Sequence, residues 1–256
     1  MMRRHLLIAI AIAVAFMPVR AGLPDVIDSV SPSVVAVGTF DPLKSPRFSF
    51  RGTGFVIGSG RRVVTNAHVM PDPAATNDRL AILVQGRKGQ SPDLRLAKLV
   101  DSDPTHDLAL LAIEGEPLPM LRAAEPVNAR AGTAVALIGY PLGTALGVVP
   151  VTHRGIISAV AAIALPPNAA RQLDVRTLNR LRQGAFDIYQ LDATAYPGNS
   201  GSPLVDAESG LVVGVINMVF VKSTKESAIE RPSGITYAIP IRYVTELLDA
   251  HPATSP

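Results

Sequence analysis

The stretch Tyr196-Pro-Gly-Asn-Ser-Gly-Ser-Pro-Leu204 sets a hydroxyl, Ser200, between two glycines. Gly198 and Gly201 permit backbone conformations closed to other residues and let a substrate's main chain come close. Successive N–H groups in such a turn can converge on one point, which is what the oxyanion of a tetrahedral intermediate needs. The same residues also make ordinary β-turns, so this stretch alone divides evenly between catalysis and plain geometry. A second stretch, Gly52-Thr-Gly-Phe-Val-Ile-Gly-Ser-Gly60, leads into a strand that ends in Thr65-Asn-Ala-His68. A histidine at a strand end is well placed to enter a cleft as a general base. In a third, Asp101-Ser-Asp-Pro-Thr-His-Asp107, the last carboxylate opens the apolar strand Leu108–Leu111, and a carboxylate buried there needs a donor. Asp101 and Asp103 read instead as residues that solvate or cap a polar turn. A hydroxyl, a base within reach of it and a carboxylate to fix the base's tautomer are the parts of nucleophilic catalysis. His68, Asp107 and Ser200 occur in the chain order His, Asp, Ser, which separates them from α/β-hydrolases and subtilisin-type enzymes.

The elements that must position these groups read as strands. Short Val- and Ile-rich runs recur between Gly, Pro, Asn and Asp. One set is Val34–Phe40, Gly54–Ile57, Arg62–Thr65, Leu80–Val84, Leu94–Val100 and Leu108–Ile113; a second is Ala134–Ile138, Val148–Ser158, Phe186–Leu191, Pro203–Val205, Leu211–Val219 and Gly234–Ile239. Two sets of about six argue for two packed barrels or a sandwich. Helical patterns fall on Pro24–Val30, Arg171–Arg182 and Ile241–Ala250.

Composition narrows the function classes. With 48% apolar and 18% charged side chains in 256 residues, the chain can bury a core and is not intrinsically disordered. Aromatic residues are 5% with no Trp, which leaves no stacking platform for single-stranded nucleic acid. Residues 1–21 carry Arg3 and Arg4, a 12-residue uncharged apolar run over Leu6–Met17, and small side chains at Val19 and Ala21. This is the pattern of a cleaved signal peptide, and the run falls short of the ~20 residues a helix needs to span a bilayer. Its loss takes three of the 24 basic residues and none of the 21 acidic ones, so the net charge drops from +3 to zero. The case for nucleic acid or anionic membrane as partner goes with it. Absence of cysteine excludes thiol catalysis, Cys-based zinc sites and iron–sulfur clusters, and fits export into a bacterial periplasm or beyond. His68, His106, Asp107 and His153 lack the spacing of metal ligands. No metal or organic cofactor is expected.

The segments GTGFVI, VVTNAHV, HDLALL, AVALIGYPLG, VTHRGIISAV, YQLDATAYPGNSGSPLVD, GLVVGVIN and GITYAIPIRYVTELL cover most of residues 52–248. Together they resemble the trypsin-like serine proteases, most closely the HtrA (Deg) branch. The resemblance implies an all-β fold of two six-stranded antiparallel barrels with a C-terminal helix. On it the signal peptide (1–21) precedes a protease domain over 22–256: a first barrel at about 30–115, a linker at about 116–131, a second barrel at about 132–240 and a helix at about 241–250. It implies Ser200 as nucleophile, His68 as general base and acid, Asp107 as orienting carboxylate, and the N–H groups of Gly198 and Ser200 as oxyanion hole. Thr194 would lie near the base of the S1 pocket, with Val215, Ile216 and Val219 as apolar neighbours, so small or medium aliphatic P1 residues are expected. The substrates would be unfolded or extended polypeptides, and the resemblance allows a homo-oligomer. The sequence departs from the branch in three places. The chain ends about six residues after its last helix, so no PDZ domain is expected. The segment Ala164–Ala185 is longer than the usual connection and reads as a solvated insertion. Gly201-Ser202 stands where Gly-Gly is usual. A narrow-specificity secreted protease, or a non-catalytic chaperone or binding module on the same fold, are the competing readings.

Overall fold

The computed structural model describes residues 22–72, 78–86, 90–125, 129–141, 149–162, 186–217 and 235–252. The leader, the Arg171–Arg182 pattern, the Ala164–Ala185 insertion and Val219 lie outside the described residues.

Twelve strands form two closed antiparallel barrels among the described residues. The first holds β1 (Val34–Phe40), β2 (Phe48–Ile57), β3 (Arg62–Asn66), β4 (Arg79–Val84), β5 (Asp93–Asp103) and β6 (Leu108–Ile113). The second holds β7 (Ala134–Gly139), β8 (Val151–Ala162), β9 (Asp187–Asp192), β10 (Pro203–Asp206), β11 (Val212–Asn217) and β12 (Ile235–Pro240). The spatial orders, β1-β2-β3-β6-β5-β4 and β7-β8-β9-β12-β11-β10, are the same topology used twice. Closure satisfies every sheet edge, and it decides between barrel and sandwich. β2 and β5 run longer than their apolar runs. β5 continues to Asp103, which pairs with Leu108, so Asp101 and Asp103 sit at a strand end and not in a turn.

The strands read as continuous apolar runs because both faces are buried. In β1, Val35 and Val37 fill the first barrel while Val34 and Ala36 face a cluster shared by both barrels. In β7, Val135 and Leu137 fill the second barrel while Ala136 and Ile138 join the shared cluster. Leu108 and Leu110 of β6, with Phe55 and Ile57 of β2, complete that seam. Each of the buried Val, Leu, Ile and Phe side chains contributes about 1.5–3 kcal/mol relative to exposure.

Two helices and a strap close the seam. α1 (Leu23–Val30) has Pro24 in its first turn, where a missing N–H costs nothing, and buries Val26 and Val30. Pro32, in the following 3-10 turn, ends it. α2 (Ile241–Ala250) spans the residues its pattern predicts and lays Ile241, Val244 and Leu247 on the shared cluster. Between the barrels, Leu121 bridges to Ile57 and Ala123 to Val212, tying β2 to β11 through the connecting segment. None of the described helices is long and apolar enough to cross a membrane.

Candidate active site

The carboxylate is fixed first. Asp107 precedes β6 with φ 55°, a left-handed backbone that Asp tolerates better than most residues. Its carbonyl accepts hydrogen bonds from the Ala67 N–H and the Asn66 side-chain amide, both at 3.0 Å. This locks Asp107 to the turn that carries the histidine. His68 sits just past β3 in a 3-10 turn, Ala67–Val69, and not on the strand itself as its sequence context implies. The Asp107 side chain is 1% exposed. Oδ1 accepts the His68 backbone N–H at 3.0 Å, and Oδ2 accepts His68 Nδ1 at 2.6 Å and Asn217 Nδ2 at 2.8 Å. A carboxylate buried this deeply is tolerable because its charge meets several donors.

The histidine's other nitrogen faces the serine. His68 Nε2 lies 2.9 Å from Ser200 Oγ. A carboxylate only accepts, so the imidazole proton belongs on Nδ1 and Nε2 is left to accept the serine hydroxyl. Carboxylate and histidine come from the first barrel and the hydroxyl from the second. The structure therefore brings His68, Asp107 and Ser200 into one hydrogen-bonded chain across the seam.

Ser200 stands on a tight turn. Asn199 N–H donates to Tyr196 O at 3.0 Å, closing a β-turn with Pro197 second and Gly198 third. Gly198 has φ 105°, the sign a type II turn demands there. Gly201 has φ 85°, and a Cβ on it would meet Thr53 O at 2.1 Å, so glycine is needed on both counts. Neither the Gly198 nor the Ser200 N–H donates to another described residue.

The pocket residues fare differently. Thr194 is half-buried between β9 and the Tyr196 turn. Val215 and Ile216 have no exposed surface: Val215 packs into the seam and Ile216 into the second barrel. They back the site from within and offer a substrate nothing to touch, a correction to their placement as pocket lining. The reason is that β11 is buried on both faces. Asp103, close by in sequence, belongs to a separate arrangement. It accepts the N–H groups of Thr105 and His106 and the His106 imidazole, which stacks on Tyr243 of α2 at 3.8 Å. Burial raises the Asp103 carboxyl's pKa, but the His106 and Thr105 hydrogen bonds outweigh it and hold the group below its ordinary value. Among the described residues no three His, Asp or Glu side chains converge as metal ligands would.

Sequence reasoning missed four supporting groups. Asn217 supplies a donor to Asp107, and Asn66 holds the Asp107 backbone. Thr53 and Thr65 link β2, β3 and the serine turn. The signals were a lone Asn at the end of β11 and polar residues inside otherwise apolar strands.

Two six-stranded barrels with a hydroxyl–imidazole–carboxylate chain across their seam define the trypsin-like class of serine peptidases. The family model described as "Trypsin-like peptidase domain" matches residues 52–215, and the chain belongs to that family. It is 34% identical over 198 residues to a probable periplasmic serine endoprotease DegP-like of Rickettsia prowazekii (strain Madrid E), covering 77% of this chain and 32% of that protein. It is 30% identical to serine protease HTRA3 of Homo sapiens over 89% of this chain and 45% of that protein. The chain thus spans less than half the length of these curated relatives. Among solved structures, the HtrA-type protease AlgW with decapeptide superposes with TM-score 0.64 at 27% identity, covering 90% of this chain and 67% of that one. Within the family, these likenesses are to HtrA-type members.

Proposed function

We propose that the chain is an exported serine endopeptidase that cleaves unfolded or extended polypeptides through an acyl-enzyme. Ser200 Oγ attacks the scissile carbonyl as His68 Nε2 takes its proton, and Asp107 stabilises the imidazolium. The N–H groups of Gly198 and Ser200 stabilise the oxyanion, His68 returns the proton to the leaving amine, and water repeats the sequence on the ester. The observation that carries this reading is the unbroken chain from Asp107 Oδ2 through His68 to Ser200 Oγ, at 2.6 and 2.9 Å. Thr194 brings no charge for a basic P1 residue, which favours small or medium aliphatic side chains. Export to the periplasm or beyond is supported by the residue 1–21 pattern and by the periplasmic names of relatives. The test is digestion of reduced, unfolded casein with cleavage sites mapped by mass spectrometry. Wild type is expected to cut after Val, Ala or Leu, with Ser200→Ala inert. Equal digestion by both, or cuts confined to Lys and Arg, overturns the reading.

A further inference from the structure

We propose that Thr53, on β2 of the first barrel, is a positioning residue for the oxyanion turn of the second. The inference rests on the reading of Ser200 as nucleophile. Around that serine, alternate peptide planes are held at both ends. In the Gly198–Asn199 peptide the carbonyl accepts from Thr53 Oγ1 at 2.7 Å and the N–H donates to Tyr196 O at 3.0 Å. In the Ser200–Gly201 peptide the carbonyl accepts from the Thr53 N–H at 2.8 Å and the N–H donates to Ile216 O at 2.9 Å. The Asn199–Ser200 peptide between them carries the Ser200 N–H, and its carbonyl accepts the Ser202 N–H at 3.0 Å; the Gly198 N–H belongs to the Pro197–Gly198 peptide, which adjoins the first held plane on its other side. These two N–H groups are the ones left without an acceptor among the described residues. A peptide plane beside a fixed neighbour has less freedom to rotate, so Thr53, by backbone and side chain together, helps to set the direction of both oxyanion donors, with Ser202 holding the plane between.

Thr53 is itself held. It has no exposed surface. Its hydroxyl accepts the Tyr140 N–H at 3.0 Å, which commits the hydroxyl proton to Gly198 O. Its carbonyl accepts the Thr65 hydroxyl at 2.7 Å. The link joins three pieces of chain, at positions 53, 140 and 198, and spans the seam that the substrate must bridge. Catalytic cost is steep here, since a misplacement of about 1 Å can cost ~10²-fold in rate.

The test compares Thr53→Val, Thr53→Ser and Thr53→Ala with wild type, using kcat and KM on unfolded casein and the rate of Ser200 labelling by a fluorophosphonate. Thr53→Val keeps the shape and removes the hydroxyl; kcat and the labelling rate are expected to fall together by about 10- to 100-fold with KM nearly unchanged. Thr53→Ser is expected to stay within about threefold of wild type. The Ser and Ala variants both lose the methyl and differ only in the hydroxyl, so they decide the matter if Thr53→Val does not fold. Thr53→Ala matching Thr53→Ser, a loss confined to KM, or a lowered melting temperature with unchanged kinetics overturns the proposal. A wild type that neither cleaves nor labels refutes instead the peptidase reading on which it rests.

Discussion

Asp107→Asn is the substitution whose cost the geometry sets most tightly. Oδ1 faces the His68 backbone N–H, and Oδ2 faces His68 Nδ1 and Asn217 Nδ2. An amide has one oxygen to serve both sides. If that oxygen stays with the backbone N–H, the NH₂ confronts the Asn217 amide and drives the imidazole to the tautomer protonated on Nε2. That nitrogen can then no longer accept the serine proton, and the same substitution in a Ser-His-Asp peptidase costs ~10⁴-fold. If the amide turns over, the tautomer survives, but the His68 N–H faces a donor and the imidazolium loses its counter-charge. At about 4 Å and an effective dielectric near 20 that loss is about 4 kcal/mol, or about 10³-fold at ~1.36 kcal/mol per decade. Both routes predict a fall in kcat/KM of about 10³ to 10⁴, measured on unfolded casein. Thermal melting should show a folded protein, because the substitution is isosteric and removes no apolar contact. Asp103→Asn is the control and should change kcat/KM by less than about threefold, since Asp103 serves His106. An Asp107→Asn enzyme keeping a tenth of wild-type activity would refute the reasoning.

Other consequences follow from neighbouring groups. A Cβ at Gly139 would lie 2.0 Å from Ser202 Oγ, so Gly139→Ala should cost more than tenfold in activity. Ser202→Gly in the same chain should restore part of it, the remainder lost to Asn199 Oδ1 at 2.9 Å and Thr53 Oγ1 at 3.0 Å; an additive double mutant would contradict the contact. Asp103 has a carboxyl pKa lowered in the folded protein, so its stabilisation is complete above the unfolded value of 3.8 and is lost as pH falls through the folded value. The stability gap between wild type and Asp103→Asn should therefore be fully present above the unfolded value and close as pH falls through the folded value, read in urea melts.

Much of this site could be read from the chain because its key residues mark themselves locally. Ser200 sits between two glycines that both take positive φ, and His68 and Asp107 each adjoin a strand boundary. Twelve short runs and their grouping left two barrels or a sandwich open; the family resemblance implied the barrels, and the closed sheets decide for them. The seam was not legible, since burial on both faces erases the alternation that would tell inside from outside in β1, β6 and β7. The resemblance put Val215 and Ile216 beside the pocket, and burial of both faces of β11 makes them core. Thr53 and Asn217 escaped notice because their partners lie 145 and 110 residues away. No local pattern encodes a contact that exists only once the two barrels have met. Asp101 and Asp103 show the converse: Asp-Ser-Asp-Pro signals a turn, yet pairing with β6 draws both into β5.

The central claim is that Ser200 is a nucleophile activated by His68. Its most direct test is reaction of the purified chain with a fluorophosphonate at neutral pH, with the modified residue located by peptide mass spectrometry. The account predicts one label per chain on Ser200, labelling slowed by orders of magnitude in His68→Ala and none in Ser200→Ala. No label on wild type, or equal labelling of wild type and Ser200→Ala, would contradict it.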